Sequence, residues 1–224
     1  MIVFDASTKI REKINGLKLG LLASNHFAIH PSTRDFDQAY NQLVRYLQQK
    51  FGNAKPSEDA VVSHVRRMYR RIGWEPTKYR PSSEKLIRRL LKGQPLFKIN
   101  NAVDMGNIVS ARFHLPMGLY DQSKIDGQPM IDVGRSHEVY KAINGKSTGA
   151  EGKMVLRDQQ GIFGNPTADS LRTAIDEDSK RILAVFFCPP EVDQDYLTKT
   201  LDQLKMYYEP FTAEGALQST IQTI

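Results

Sequence analysis

Residues 158–173 read D-Q-Q-G-I-F-G-N-P-T-A-D-S-L-R-T and connect two apolar segments, residues 154–156 and 182–188. Glycine, proline, asparagine, serine and threonine are typical of turns, whereas short apolar runs are typical of buried strands. A connection between two buried strands rarely carries so many different hydrogen-bond donors and acceptors. The segment therefore predicts either a loop that lines a pocket or a long connection that hydrogen-bonds to itself.

Two further strands are predicted at residues 17–23 and 130–133. The first helix is predicted from apolar residues at helical spacing, with Thr33 as its N-cap and Gly52 as its stop signal. Its apolar positions are Phe36, Tyr40, Leu43, Leu47 and Phe51.

Four more helices follow from the same periodicity. The helix after Pro56 has Glu58 and Asp59 in its first turn. Its expected apolar face is Val61, Val65, Met68 and Ile72. The others are expected between Pro81 and Gly93, around residues 103–110, and after Pro190.

Helices precede most of the strands, without steady alternation, which indicates an α+β fold rather than a doubly wound parallel sheet. We expect one domain over residues 1–224. Residues 1–98 form its strand and basic helical part, and residues 99–224 form a β-rich part with the pocket and a C-terminal helix.

Composition excludes several classes of protein. The chain has 224 residues and one cysteine, Cys188, which lies in an apolar run and is expected to be a buried strand residue rather than a nucleophile. A disulfide framework is therefore excluded. No apolar run is long enough to span a bilayer, and the N-terminal residues lack a signal pattern, so we expect a cytoplasmic protein without membrane contact. Gly145-Lys146-Ser147 lacks the upstream glycine of a phosphate-binding loop, and we expect no metal or other cofactor.

Positive charge is concentrated between residues 64 and 98. This segment holds eleven lysines and arginines against Glu75 and Glu84 only, while the whole chain has a net charge of +6. Trp74 and Tyr79 lie among these charges, a mixture that suits nucleotides or, equally, a packed turn. We expect either an RNA-binding surface or a solvated helical face. The expected RNA-binding residues are Arg66, Arg67, Arg70, Arg71, Lys85, Arg88, Arg89 and Lys92.

Residues 99–127 read I-N-N-A-V-D-M-G-N-I-V-S-A-R-F-H-L-P-M-G-L-Y-D-Q-S-K-I-D-G. Together with residues 158–180, they resemble the B3/B4 domain of the phenylalanyl-tRNA synthetase beta subunit, and more closely its free-standing relatives. The upstream Tyr79-Arg80-Pro81-Ser82 is also similar to those relatives. The resemblance implies a strand-rich core flanked by helices. It does not imply synthetase activity, because no aminoacylation domain is visible.

In the synthetase this domain hydrolyses tyrosine wrongly attached to tRNA. The family's Thr-Asn pair falls on Gly106 and Asn107, its histidine falls on Gly118, and its glutamate falls near Val185. These departures predict an apolar pocket that does not select tyrosine. No residue is assigned as catalytic. The candidate pocket residues are Asn107, Arg112, His114, Pro116, Gly118, Asn165, Thr167, Asp169, Ser170, Arg172, Thr173 and Val185.

The sequence therefore predicts a tRNA-binding protein with a pocket similar to an editing site, whose partners are tRNA or aminoacyl-tRNA and a small ligand similar to an amino acid. Two functions remain open. The first is hydrolysis of a misacylated tRNA in trans, which requires a positioned water and stabilisation of an oxyanion. The second is non-catalytic binding of an amino acid, a peptide or tRNA. The sequence does not indicate an oligomeric state.

Overall fold

The computed structural model describes residues 2–32 and 34–224. Its helices are α1 (Thr8–Lys13), α2 (Arg34–Phe51), α3 (Ala60–Arg71), α4 (Ser82–Leu91), α5 (Asn101–Phe113) and α6 (Gln194–Tyr208). Its strands are β1 (Asp5–Ala6), β2 (Lys18–Ser24), β3 (Met117–Asp121), β4 (Met130–Val133), β5 (Val139–Lys141), β6 (Ser147–Gly149), β7 (Met154–Asp158), β8 (Gly161–Gly164), β9 (Ile182–Cys188) and β10 (Leu217–Thr223).

The strands form two four-stranded sheets and a hairpin. The central sheet has the order β10-β2-β9-β3 and is antiparallel throughout. The second sheet has the order β1-β4-β7-β8, with β1 parallel to β4 and the other pairs antiparallel. Strands β5 and β6 form the separate hairpin.

The central sheet lies between the helices and the second sheet. On one face Gly20 of β2 packs beneath Leu197 of α6, and a Cβ on Gly20 would lie 2.7 Å from the leucine. On the other face Tyr120 of β3 meets Phe163 of β8 edge to face, with ring centroids 5.0 Å apart. The fold is therefore α+β, as the order of predicted elements indicates.

The predicted helices are present, but two of their details are wrong. Asp59 is the N-cap of α3, where its side chain accepts a hydrogen bond from the Val62 amide, and residues 56–58 form a separate 3-10 turn. Val62 and Tyr69 are buried on α3, whereas Val61 is only half-buried. The N-cap predicted for α2, Thr33, lies outside the described residues.

The prediction of one long connection over residues 158–173 is also wrong. Ile162 and Phe163 are buried and form β8 against β7, so the connection is interrupted by an edge strand. Cys188 is buried at the end of β9, where burial raises the pKa of its thiol to about 12. Within residues 2–32 and 34–224, no helix has the length and apolar character needed to cross a membrane.

Candidate functional site

The polar segment after β8 turns back and places Asp169 against β3. One carboxylate oxygen accepts a hydrogen bond from the Tyr120 hydroxyl at 2.7 Å, and the other accepts one from the Leu119 amide at 3.2 Å. Burial raises the pKa of Asp169 to about 7, although both hydrogen bonds act to lower it. A carboxyl that titrates near neutrality can accept or donate a proton. We call Leu119, Tyr120 and Asp169 the Asp169 cluster.

The Tyr120 hydroxyl packs between two glycines. A Cβ on Gly118 of β3 would lie 1.9 Å from this oxygen, and a Cβ on Gly164 of β8 would lie 2.3 Å from it. The space beside Gly118 is therefore filled from the side by a tyrosine. The glycine leaves room for Tyr120 rather than for a ligand.

Val185 is the direct cross-strand partner of Gly118. Directly paired residues point to the same face of a sheet, so both positions face the second sheet. Val185 is fully buried and apolar. Pro116 is buried just before β3, and its carbonyl accepts a hydrogen bond from the Phe187 amide at 3.0 Å.

Asn165 and Thr167 close a tight turn. The Asn165 side-chain oxygen accepts hydrogen bonds from the Thr167 amide and hydroxyl, each at 2.8 Å. Its amide nitrogen donates to the Tyr140 hydroxyl at 2.8 Å, and this hydroxyl donates to the Ala168 carbonyl at 2.7 Å. Of the two alternatives that the sequence predicts, a connection that hydrogen-bonds to itself is the one that fits this turn. Sequence reasoning missed Tyr140, because its hairpin is more than twenty residues away.

Three further candidate residues form hydrogen bonds that stabilise the local backbone, and they do not face an open site. Ser170 caps the 3-10 turn Leu171–Thr173 by accepting a hydrogen bond from the Arg172 amide. The buried Thr173 hydroxyl donates to the Phe163 carbonyl at 3.1 Å. The Arg172 guanidinium donates to Asp158 at 2.8 Å and to the Lys124 carbonyl at 2.9 Å.

The candidates on α5 lie in the helical layer. His114 is fully buried at the C-cap of α5, with φ +59°, and its Nδ1 lies 3.0 Å from Asp59. Asp59 also pairs with Lys50 at 3.0 Å. Burial acts to raise the pKa of Asp59, but hydrogen bonds to His114, Lys50 and the Val62 amide, together with the charge of His114, hold it well below its usual value. Arg112 is exposed and Asn107 is half-buried. The structure does not join these side chains to the Asp169 cluster.

Most of the basic residues on α3 and α4 have carboxylate partners. Glu84 is fully buried and pairs with Arg66 at 2.9 Å and with Arg88 at 2.7 Å. Glu191, which precedes α6, pairs with Arg71 at 2.5 Å and Arg67 at 3.8 Å. These carboxylates relieve the repulsion between arginines four residues apart, so the helices need no phosphate to balance them.

The remaining predicted RNA-binding residues differ in the contacts that their side chains make within the protein. Arg70 lies 3.9 Å from Glu75. Arg89 donates to the Pro95 carbonyl and covers the ring of Phe97. Lys92 is exposed. Trp74 is buried and stacks on Tyr69, so it belongs to a packed turn rather than to a nucleotide-binding surface.

A second group of basic residues surrounds Tyr79, which is 37% exposed. The Lys153 amine lies 4.3 Å from the ring centroid and the Lys78 amine lies 5.3 Å from it. Arg80 and Lys85 lie alongside; Arg80 is exposed, whereas the Lys85 amine is partly covered. We call these residues the basic–aromatic surface: Lys78, Tyr79, Arg80, Lys85 and Lys153.

The charges of the basic–aromatic surface are not balanced. In the described chain, none of its basic groups lies within 4.0 Å of a carboxylate. Burial of the amine, followed by the charges of Lys153 and Arg80, lowers the pKa of Lys85. Burial and the charge of Lys78 similarly lower the pKa of Lys153, against an opposing contribution from Tyr79. Sequence reasoning missed Lys153, which reaches Tyr79 from the connection between β6 and β7.

Comparison with known proteins matched the chain to one protein family and to solved structures. The family model of the B3/4 domain matches residues 64–203. An N-terminal fragment of the phenylalanyl-tRNA synthetase beta-subunit from Pyrococcus horikoshii is similar at 10% sequence identity and a TM-score of 0.46. The similarity covers 99% of this chain and 52% of the fragment, so the chain spans about half the fragment's length. A search of curated proteins gave no significant match.

Proposed function

The chain belongs to the B3/4 domain family, and from this premise we propose that it binds tRNA or aminoacyl-tRNA through the basic–aromatic surface. The observation that carries the proposal is the group of cations around exposed Tyr79 without carboxylate partners in the described chain. Phosphate groups would supply the missing negative charge, and a base would stack on the tyrosine ring.

The lowered pKa values of Lys85 and Lys153 support an anionic partner. Their causes are burial and positive neighbours, so each ammonium is less stable than in water. A phosphate bound at this surface would stabilise the charged amines and offset part of their unfavourable free energy. The arginines of α3 gain less from a phosphate, because Glu84 and Glu191 already balance Arg66 and Arg71.

The surface adjoins the turn that leads to Asp169. The Lys85 amine donates to the Thr167 carbonyl at 3.4 Å, and the Ser82 amide donates to the Pro166 carbonyl at 3.0 Å. This proximity supports binding of an RNA end, with any aminoacyl group directed towards the turn. It also supports treating residues 1–224 as one functional unit.

A second function, hydrolysis of an aminoacyl-tRNA ester, is favoured by one observation. Asp169 has a pKa of about 7, which suits a group that takes a proton from water. Two contacts oppose this role, because both carboxylate oxygens already accept hydrogen bonds and Tyr120 fills the space beside Gly118. We therefore prefer non-catalytic binding to hydrolysis as the proposed function.

A filter-binding assay with uncharged tRNA, beside a deacylation assay over a panel of charged tRNAs, separates the two functions. The binding module predicts saturable binding that Tyr79→Ala weakens, with no deacylation above the uncatalysed rate. Stacking of one base contributes about 1–3 kcal/mol, so binding should weaken by about fivefold or more. Wild-type deacylation that Asp169→Asn abolishes would assign the hydrolase instead. Equal binding by wild type and Tyr79→Ala would contradict the surface.

We also propose that any hydrolysis does not select tyrosyl-tRNA. Gly118 has no side chain to orient water, and buried Val185 offers no partner to a tyrosine hydroxyl. A buried hydroxyl without a partner costs about 1–3 kcal/mol, which removes about one to two orders of magnitude of preference. The measurement is the ratio of rates on matched tyrosyl- and phenylalanyl-tRNA. A strong preference for the tyrosyl form would contradict the placement of Gly118 or of Val185.

A further inference from the structure

A groove separate from the Asp169 cluster lies between three helices. Leu43 and Tyr46 of α2, Ile108 and Val109 of α5, and the C-terminal half of α6 enclose a cavity of about 290 Å³. Helices α5 and α6 cover the face of the central sheet opposite Tyr120 and Gly118. The groove and the Asp169 cluster therefore lie on different sides of that sheet.

Arg112 supplies the positive charge of this groove. Its guanidinium carbon lies 3.4 Å from the ring centroid of Tyr46, so the flat face of the group stacks on the tyrosine. Stacking leaves the in-plane N–H donors available. Within the described residues, no carboxylate lies within 4.0 Å of Arg112, and none of the residues that line the groove is acidic.

The rest of the exposed lining is mainly neutral and polar, and its apolar side chains are almost completely covered. Leu43, Ile108 and Val109 are buried and form the apolar part. Gln42, Gln203 and the Tyr207 phenol add neutral hydrogen-bonding groups. Burial raises the pKa of Tyr207 while the charge of Arg112 lowers it, which places the phenol within electrostatic reach of the guanidinium.

We propose that this groove, the Arg112 groove, binds a small organic carboxylate. The guanidinium would pair with the carboxylate through two parallel hydrogen bonds, and the rest of the ligand would lie beside Gln42, Gln203 and Tyr207. The volume suits a ligand of that size, at the lower end of small-molecule sites. The site is independent of RNA binding, because none of its residues belongs to the basic–aromatic surface.

The test is isothermal titration of the full chain with 3-phenylpropionate, 4-phenylbutyrate and indole-3-acetate, each beside its neutral amide. At least one carboxylate should bind saturably, and its amide should bind about tenfold more weakly or worse, because a charge-assisted hydrogen bond contributes about 1.5–3 kcal/mol. Arg112→Gln should weaken carboxylate binding by the same factor, and Arg112→Lys should restore part of the affinity. The matched control is Arg45→Gln, since Arg45 is exposed on α2 outside the groove and should bind as wild type does.

Three results would overturn the proposal. They are failure of every carboxylate to saturate, equal binding of acid and amide, and unchanged binding by Arg112→Gln. Inorganic phosphate that binds as tightly as the carboxylates would also overturn it, because the organic part of the ligand would then contribute nothing. Arg112→Gln should retain wild-type tRNA affinity and melting temperature, so lost ligand binding cannot be ascribed to unfolding.

Discussion

The position of the Tyr120 side chain determines how much open space remains beside Asp169. Its hydroxyl is bound to Asp169 at 2.7 Å and packs against the backbone of Gly118 and Gly164. The sequence shows that position 118 is a glycine, but it does not show what fills the space beside it. That information requires the pairing of β3 with β9 and the approach of β8, which are contacts between distant segments.

Gly118→Ala should destabilise the fold by about 1–3 kcal/mol, because its Cβ would lie 1.9 Å from the Tyr120 hydroxyl oxygen. The matched control is Gly149→Ala in β6, where a Cβ would meet no atom within 4 Å. Urea unfolding of both variants measures the difference. Equal midpoints for the two alanine variants would contradict the packing of Tyr120 on Gly118.

Asp169 should make stability fall between about pH 4 and pH 7. The folded carboxyl keeps its proton up to about pH 7, whereas the unfolded one loses it near the ordinary aspartate pKa of 3.8. The folded state therefore binds more protons in this range, and the contribution to stability declines as pH rises, by at most about 4 kcal/mol. Asp169→Asn should remove this decline.

The measurement is the unfolding free energy of wild type and Asp169→Asn at intervals from pH 4 to pH 8. Subtracting one curve from the other cancels groups such as Asp59, whose lowered pKa acts in the opposite direction. A difference that stays constant across this range would show that Asp169 titrates normally.

At the scale of elements, α3 and α4 are held together by charge as well as by apolar packing. Arg66 of α3 and Arg88 of α4 share the buried carboxylate of Glu84. The helices and their apolar stripes were predictable from periodicity. The ion pairs were not, because Glu191 reaches Arg71 from a segment 120 residues away in sequence. Charge counts over residues 64–98 therefore overestimate the charge left for a partner.

Glu84→Gln should destabilise the protein by about 3–5 kcal/mol, because it leaves two arginines beside a buried site without their counter-charge. Glu75→Gln is the control, since Glu75 is exposed and its pairing with Arg70 is loose, at 3.9 Å. Thermal unfolding should be unchanged by Glu75→Gln and strongly lowered by Glu84→Gln. Similar melting temperatures would show that the arginines do not depend on Glu84.

At the scale of the whole molecule, the two parts distinguished in the sequence share one sheet. Strand β2, from the first part, lies between β9 and β10, from the second. The α+β class was predictable from the order of elements. The sheet order was not, because pairing of residue 18 with residue 223 leaves no local signal in the sequence.

This shared sheet predicts a single cooperative unfolding transition for residues 1–224. A fragment of residues 99–224 lacks β2, so β9 and β10 would lose their common partner. Circular dichroism and intrinsic fluorescence should give coincident transitions for the full chain, and the fragment should not fold. Two separate transitions, or a folded fragment, would contradict a single domain.

The salt dependence of tRNA binding tests the proposed RNA surface most directly. The logarithm of affinity should fall linearly with the logarithm of salt concentration, with a slope of about 0.7–0.9 for each phosphate contacted. The double variant Lys78→Gln/Lys85→Gln should flatten this slope by about 1.4–1.8, whereas Arg67→Gln/Arg70→Gln should leave it nearly unchanged. A slope flattened by the arginine variant and not by the lysine variant would contradict the account and place the RNA on α3.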